Sequence, residues 1–252
     1  IILFAVFGLV LCFFKRTRKV GFAIVIAVII GTLLTNVIIK PMVLRVRPYN
    51  TLQNVPGFFD WYVKAGMCSE SDYCFPSGHT TGAMEVGIAL FLRHIGSKKK
   101  AAKGLCWFFL LVPLCVAASR IYLMVHYPTD VIAGIIIGII AGVLGFALSG
   151  LICRLFDKAK NGAGEKFDLA RKFKKTPPKA VIVLIFALSF VVIFGASFVM
   201  YHNAGGPDAI RCSYNGTYKC QNEARVKDKY KAPDGNYYCK IHWNELQEAA
   251  AK

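Results

Sequence analysis

Six apolar runs constrain this chain more than any other feature. They cover about residues 1–14, 20–39, 80–92, 104–125, 131–153 and 180–201. Crossing the hydrocarbon of a bilayer as a helix takes about 20 apolar residues, and a helix satisfies all its backbone groups internally there. With 56% hydrophobic residues in 252 and a mean hydropathy of +0.49, the chain is too apolar for an ordinary soluble domain. The pattern predicts an all-α, polytopic transmembrane bundle of about six spans. The third run reaches spanning length only if Pro76 to His79 lie at its mouth. The first run is short and starts without methionine, so it reads as the remnant of a span. No small-residue cleavage site follows it, which argues against a cleaved signal peptide.

Basic residues set the expected orientation. Lys15, Arg16, Arg18 and Lys19 follow the first run, Arg93, Lys98, Lys99, Lys100 and Lys103 follow the third, and a further basic stretch runs from Arg154 to Lys179. These loops alternate with the others, and the positive-inside rule places them together in the cytoplasm. The intervening loops and residues 202–252 then face outward from a bacterial-type plasma membrane. The net charge of +17 is concentrated in the short connections, where it meets anionic headgroups. No RNA or DNA motif is present, and nucleic acid is not an expected partner.

Residues with chemical potential gather in three places on the outward side. Lys40 through Arg47-Pro48 ends the second run, Pro76-Ser77-Gly78-His79 opens the third, and Ser119-Arg120, His126 and Asp130 lie around the junction of the fourth and fifth. Taken alone, Lys40 is a lysine snorkelling to the interface. Arg47 is seven residues on, close to two helical turns, so both cations share a side if helix continues past Pro41. Pro48 then steers the chain out of the helix. Arg45 is a further basic residue with no assigned role.

Ser77 suits an N-cap and Gly78 lets an anion approach the backbone, roles that a simple turn fills as well. His79 titrates near neutrality and can protonate a departing oxygen. His126 and Asp130 share a face if helical, so the carboxylate can fix the imidazole tautomer and leave the other nitrogen free to attack. A capping aspartate after Pro128 is the simpler alternative. Lys40, Arg47 and Arg120, with the amides after Ser77, suit an oxyanion such as phosphate. His79, His126 and Asp130 also offer a zinc-type donor set, but three converging cations repel a divalent ion. A metal-independent active site is the expectation.

The spacing K-x6-R-P, P-S-G-H and S-R-x5-H-x3-D resembles the signature of the type 2 phosphatidic acid phosphatase superfamily of membrane lipid phosphatases, across residues 20 to 151. The resemblance implies that Lys40, Arg47, Ser77, Gly78 and Arg120 hold phosphate. It implies that His126 attacks to form a phosphohistidine, that Asp130 orients it, and that His79 protonates the leaving group before water hydrolyses the intermediate. Its substrates would be lipid phosphates or pyrophosphates such as phosphatidic acid, phosphatidylglycerol phosphate or undecaprenyl pyrophosphate. The family's usual six helices imply that a first one is missing here and that the run at 180–201 is an addition. Vanadium-dependent haloperoxidases share the signature but resemble soluble helical enzymes. Two other functions fit the same residues. A phosphotransferase would replace water with another acceptor, and a lipid-phosphate binding or transport protein would need the cations but not the His126 and Asp130 pair.

Residues 1–201 form the expected phosphatase domain and 202–252 a small extracytoplasmic module. The outer loop from Tyr49 to Phe75 carries Phe58, Phe59, Trp61, Tyr62 and Tyr73, which suit an interfacial aromatic belt. Cys68 and Cys74 are close enough in sequence for a local disulfide. Cys12, Cys106, Cys115 and Cys153 read as small packing residues. In the tail, Cys212, Cys220, Cys239 and His242 can complete a tetrahedral structural zinc site, and so small a unit needs a staple. The tail resembles a treble-clef zinc finger, although seven residues separate the first two cysteines. One disulfide with a spare thiol is the competing arrangement.

Overall fold

Glycines at four-residue intervals decide how the helices close on one another. The computed structural model of the chain describes residues 2–158 and 210–250 apart from 71, 97, 99, 223 and 225–229. Its helices are α1 (Ile2–Cys12), α2 (Arg18–Thr32), α3 (Lys40–Val43), α4 (Pro48–Thr51), α5 (Phe58–Lys64), α6 (Gly78–Ile95), α7 (Lys100–Tyr122), α8 (Pro128–Lys158) and, in the tail, α9 (Lys240–Ala250). Helix α8 packs along both α2 and α6, α7 lies on α6, and α1 lies on α2. A Cβ added at Gly134, Gly138 or Gly142 of α8 would sit 2.8 Å from the Ser77 carbonyl oxygen, 2.6 Å from Met84 Cβ and 2.7 Å from Ile88 Cβ, respectively. The stripe lets the two backbones approach closely, as small residues do between helices in lipid. Thr81 Oγ1 lies in the same seam, 3.0 Å from the Ser77 carbonyl oxygen and 3.2 Å from that of Gly134. The first turn of α6 is thereby planted beside the first turn of α8.

The faces turned away from these contacts are apolar. Trp107, Leu111 and Leu114 of α7 and Ile132, Ile136, Ile140 and Val143 of α8 are exposed at helical spacing. Arg18–Thr51 and Pro128–Leu155 are long and apolar enough to cross a membrane, and Cys106–Tyr122 is apolar but shorter. Most of the described residues in the first five apolar runs are helical. The sixth, at 180–201, lies outside the described residues, as does most of the basic stretch from Arg154 to Lys179. Among the described residues no strand forms. The tail carries two isolated bridges, Asn215 with Lys219 and Lys231 with Tyr237.

The chain around the first polar block does not continue as one helix between Lys40 and Arg47. A π-helical stretch, Leu33–Ile39, follows α2, and the Lys40 amide reaches back to the Thr35 carbonyl. Helix α3 stops at Val43 because Leu44 takes a left-handed conformation, φ 50°. Residues 44–47 are then non-helical, and Arg47 is extended (ψ 150°), the conformation favoured before proline. Pro48 opens α4 instead of ending a helix.

Candidate active site

Arg47 is almost wholly buried where the three polar blocks meet. Its Nη1 donates to the Val125 carbonyl at 2.8 Å and lies 3.4 Å from His126 Nε2, and its Nε donates to the Asp72 carbonyl at 2.9 Å. Two backbone acceptors thus aim the guanidinium, and Nη2 is left facing carboxylates. It sits 2.7 Å from Glu70 Oε2 and 2.5 Å from Asp72 Oδ1. Lys40, also buried, pairs with Asp72 Oδ2. Lys40 and Arg47 therefore converge although no continuous helix joins them.

The third block holds its histidine by a different device. Asp130 is fully buried in the first turn of α8, and its Oδ2 accepts from the Tyr127 amide at 2.8 Å and lies 3.5 Å from His126 Nδ1. Capping and histidine orientation are thus one side chain's two contacts. Asp130 Oδ1 accepts from Arg45 Nη1 at 2.7 Å, and Arg45 stacks on the Tyr127 ring with 4.0 Å to the centroid. Burial holds the His126 pKa below the ordinary histidine value, and its interaction with Asp130 works in the opposite direction. With Nδ1 turned toward Asp130, Nε2 is directed away from it.

The second block lies across from it. The Ser77 amide donates to the Asp130 carbonyl at 3.0 Å, which ties the two blocks by backbone alone. Ser77 occupies the N-cap position of α6, yet its side chain makes no capping bond; its Oγ accepts from Thr80 Oγ1 at 2.9 Å. A Cβ at Gly78 would lie 3.6 Å from Asn36 Oδ1 and 3.9 Å from Lys40 Nζ, so the glycine opens toward the cationic cluster. His79 is more exposed, and its Nδ1 lies 3.4 Å from Glu70 Oε1.

Glu70 sits at the centre. Its carboxylate lies 2.7 Å from Arg47 Nη2, 3.4 Å from His79 Nδ1, 3.6 Å from Arg120 Nη1 and 3.8 Å from His126 Nε2. Burial opposes ionisation of Glu70, but Arg47, His79 and His126 outweigh it and hold its carboxyl below the usual range. Asp72 is held low in the same way, by Arg47 and Lys40 against its burial. The structure thus brings together Lys40, Arg47, Ser77, Gly78, His79, Arg120, His126 and Asp130, and adds Arg45, Glu70 and Asp72.

The PAP2 superfamily profile matches residues 17–154, which takes in all three blocks and more than half of the chain. The chain belongs to the PAP2 superfamily. The chain is 31% identical over 145 residues to the bacitracin transport permease protein BcrC of Bacillus licheniformis, covering 57% of this chain and 64% of that one. It is 34% identical over 134 residues to the lipid A 4'-phosphatase of Porphyromonas gingivalis, covering 52% of each. With an undecaprenyl-diphosphatase of Sulfolobus acidocaldarius it shares 31% over 131 residues, 51% of this chain and 54% of that one. The chain spans about half to two thirds of the length of these PAP2 relatives. No solved structure matches. The apolar helices and the PAP2 match together make this a membrane protein whose relatives include lipid phosphatases.

The tail places its four predicted ligands in one buried cluster. Donor atoms of Cys212, Cys220, Cys239 and His242 lie within 4.8 Å of one another. His242 Nδ1 is 3.4 Å from Cys212 Sγ and 3.3 Å from Cys239 Sγ. A tetrahedral zinc with ordinary Zn–S and Zn–N lengths sets sulfur and nitrogen about 3.5 Å apart, so the donor set fits. His242 Nε2 meets the Tyr218 hydroxyl at 3.2 Å, the kind of outer contact that fixes a ligand's tautomer. Cys68 and Cys74 are not joined in a disulfide. The tail packs on the same end of the bundle as the polar blocks: Gln53 Nε2 donates to the Lys219 carbonyl at 2.6 Å and the Gln221 amide to Asn50 Oδ1 at 2.8 Å.

Sequence reasoning left Arg45 without a role and missed Glu70 and Asp72 as members of the site. Arg45 sits two residues before Arg47 and had only its charge as a signal. Glu70 and Asp72 lie in an irregular loop without a spacing pattern that would single them out.

Proposed function

We propose that this chain hydrolyses a phosphate monoester or pyrophosphate on a membrane lipid, without a catalytic metal, through a phosphohistidine at His126. The observation that carries the reading is the convergence of Arg47, Arg120, His79 and the buried His126–Asp130 pair on one anion-sized space. In this reading Lys40, Arg47, Arg120 and the first amides of α6 hold the phosphoryl oxygens and neutralise the charge that develops in the transition state. His126 Nε2 forms a bond to phosphorus while the bond to the lipid oxygen breaks, and His79 gives that oxygen its proton. Water then attacks the N–P bond with His79 as base, releasing phosphate and restoring neutral His126. Asp130 keeps Nδ1 protonated throughout and balances the charge on the ring.

The substrate reading rests on relatives named undecaprenyl-diphosphatase, lipid A 4'-phosphatase and phosphatidylglycerophosphatase B. Their shared element is a phosphate at a lipid headgroup, and the cationic cluster matches that element alone. Outward orientation of the site, and the division into a phosphatase domain over 1–201 and a Cys/His module over 202–252, belong to the same reading. In the module, Cys212, Cys220, Cys239 and His242 would hold one structural zinc with no open position.

The test is phosphate release by the detergent-purified chain from phosphatidic acid, phosphatidylglycerol phosphate and undecaprenyl pyrophosphate, with EDTA present and beside His126→Ala. Release that survives EDTA and vanishes in the variant supports the reading. Release that stops with EDTA while the protein stays folded overturns metal independence, and equal release by His126→Ala overturns the phosphohistidine.

A further inference from the structure

Glu70 occupies the position that the proposed function gives to phosphate. Its two oxygens face Arg47, His79, Arg120 and His126 at 2.7–3.8 Å, which are four of the groups assigned to the phosphoryl group. Asp72 meanwhile takes Lys40 and the remaining side of Arg47 Nη2. An attacking nitrogen needs phosphorus within about 3–3.5 Å, and the Glu70 carboxylate fills that approach to His126 Nε2. Carboxylate and substrate exclude each other.

The backbone of Glu70 is fastened to the tail. Its amide donates to the Tyr49 hydroxyl at 3.2 Å, and its carbonyl lies 3.2 Å from the same oxygen. Tyr49 is fully buried and stacked on Tyr62, with ring centroids 5.1 Å apart, so the phenol has little freedom. Its hydroxyl donates to Asn222 Oδ1 at 2.7 Å. Asn222 is buried in the Cys/His module, where its carbonyl accepts from the Cys212 amide at 2.9 Å and its Nδ2 lies 3.5 Å from Cys239 Sγ. Four residues, Cys239, Asn222, Tyr49 and Glu70, therefore connect a cluster of metal-ligand type to the centre of the active site.

We propose that Glu70 is an internal competitor of the substrate phosphate, held in the cationic cluster by the metal-loaded tail module through Asn222 and Tyr49. This rests on the phosphatase reading for what the cluster binds. The tail then has a function of its own: it sets the fraction of molecules whose site is open, and apparent anion affinity falls with that fraction. Loss of the module's metal frees Asn222, loosens Glu70 and lets phosphate in more easily.

The test uses full-length protein in detergent and orthovanadate, a phosphate analogue whose binding needs no turnover. Wild type, Glu70→Gln, Asn222→Ala and the double variant are titrated calorimetrically, and zinc is measured in each sample. Glu70→Ala is titrated beside them in case the amide keeps a hydrogen-bonded hold on Arg47. We expect Glu70→Gln or Glu70→Ala to bind orthovanadate about tenfold more tightly, and Asn222→Ala about threefold more tightly with its zinc retained, by the population argument. In the double variant Asn222→Ala adds nothing, because the residue it acts through is gone. Binding that is unchanged or weaker in both Glu70 variants overturns the competitor. An Asn222→Ala effect of equal size in both backgrounds overturns the link to the tail. Tighter orthovanadate with no hydrolysis of any lipid phosphate would support the competitor and count against the phosphatase reading. Intact hydrolysis with no tightening would do the reverse.

Discussion

Arg45 Nη1 donates to Asp130 Oδ1 at 2.7 Å while the other oxygen of that carboxylate faces His126. Arg45 thereby touches Asp130, the residue proposed to orient His126, and holds the irregular segment before Arg47 against the start of α8. A charge-assisted hydrogen bond contributes about 1.5–3 kcal/mol where it is shielded, and Arg45 is about a third exposed, which screens it. Arg45→Ala should lower kcat about tenfold with a smaller change in KM, the lower end of that range. Removing its charge also lets Asp130 act more strongly on His126. The acidic limb of the pH profile should move upward in the variant, which a loss of stability alone would not produce.

The wild-type profile has its own expected shape. In the proposed mechanism His126 attacks as the neutral imidazole, and burial holds its pKa below the ordinary 6.5. A base with a lowered pKa stays active as pH falls past 6.5 and loses activity only when its own lower pKa is reached. The acidic limb of kcat/KM should therefore fall below pH 6.5. A limb at or above 6.5, measured with a substrate that does not titrate there, contradicts the neutral buried histidine.

The glycine seam makes a prediction about assembly. At Gly138 a Cβ would meet Met84 Cβ at 2.6 Å and the Thr81 carbonyl at 2.8 Å, whereas at Gly104 of α7 nothing lies within 4 Å. Gly138→Val should cost about 1–3 kcal/mol through overpacking, and it should weaken orthovanadate binding because α6 carries Gly78 and His79. Gly104→Ala should leave both unchanged or raise stability slightly. Thermal unfolding in detergent reads the difference.

The tail should carry one zinc per chain, lost in Cys220→Ser and in His242→Ala. Metal analysis of the purified protein decides this. Full zinc content in both variants would mean that the four residues are not the ligands, and a chain with no metal when purified without chelator would restore the thiol arrangement.

The sequence made the bundle and eight of the site's residues legible for different reasons. Long apolar runs have few structural solutions, so the helices were readable from length alone. The blocks ending in Arg47, His79 and Asp130 were readable because their cations, imidazoles and carboxylate suit an oxyanion and because their spacing resembles a known family signature. The path between Lys40 and Arg47 was not readable: Leu44 adopts a positive φ without the glycine that usually signals one, and the π-helical Leu33–Ile39 has no compositional mark. Glu70 and Tyr49 were out of reach for a third reason. Their roles come from contacts with Arg47 and Asn222, the latter 173 residues from Tyr49, and no local pattern reports a pairing across that separation.

The most direct test of the central claim is to quench a single turnover of ³²P-labelled undecaprenyl pyrophosphate and phosphatidic acid and look for label on the protein. The account predicts an acid-labile, base-stable phosphoryl group on His126, formed at the rate of lipid release, absent from His126→Ala and still formed with EDTA present. Rapid phosphate release with no label on His126, or label on another residue, would contradict it.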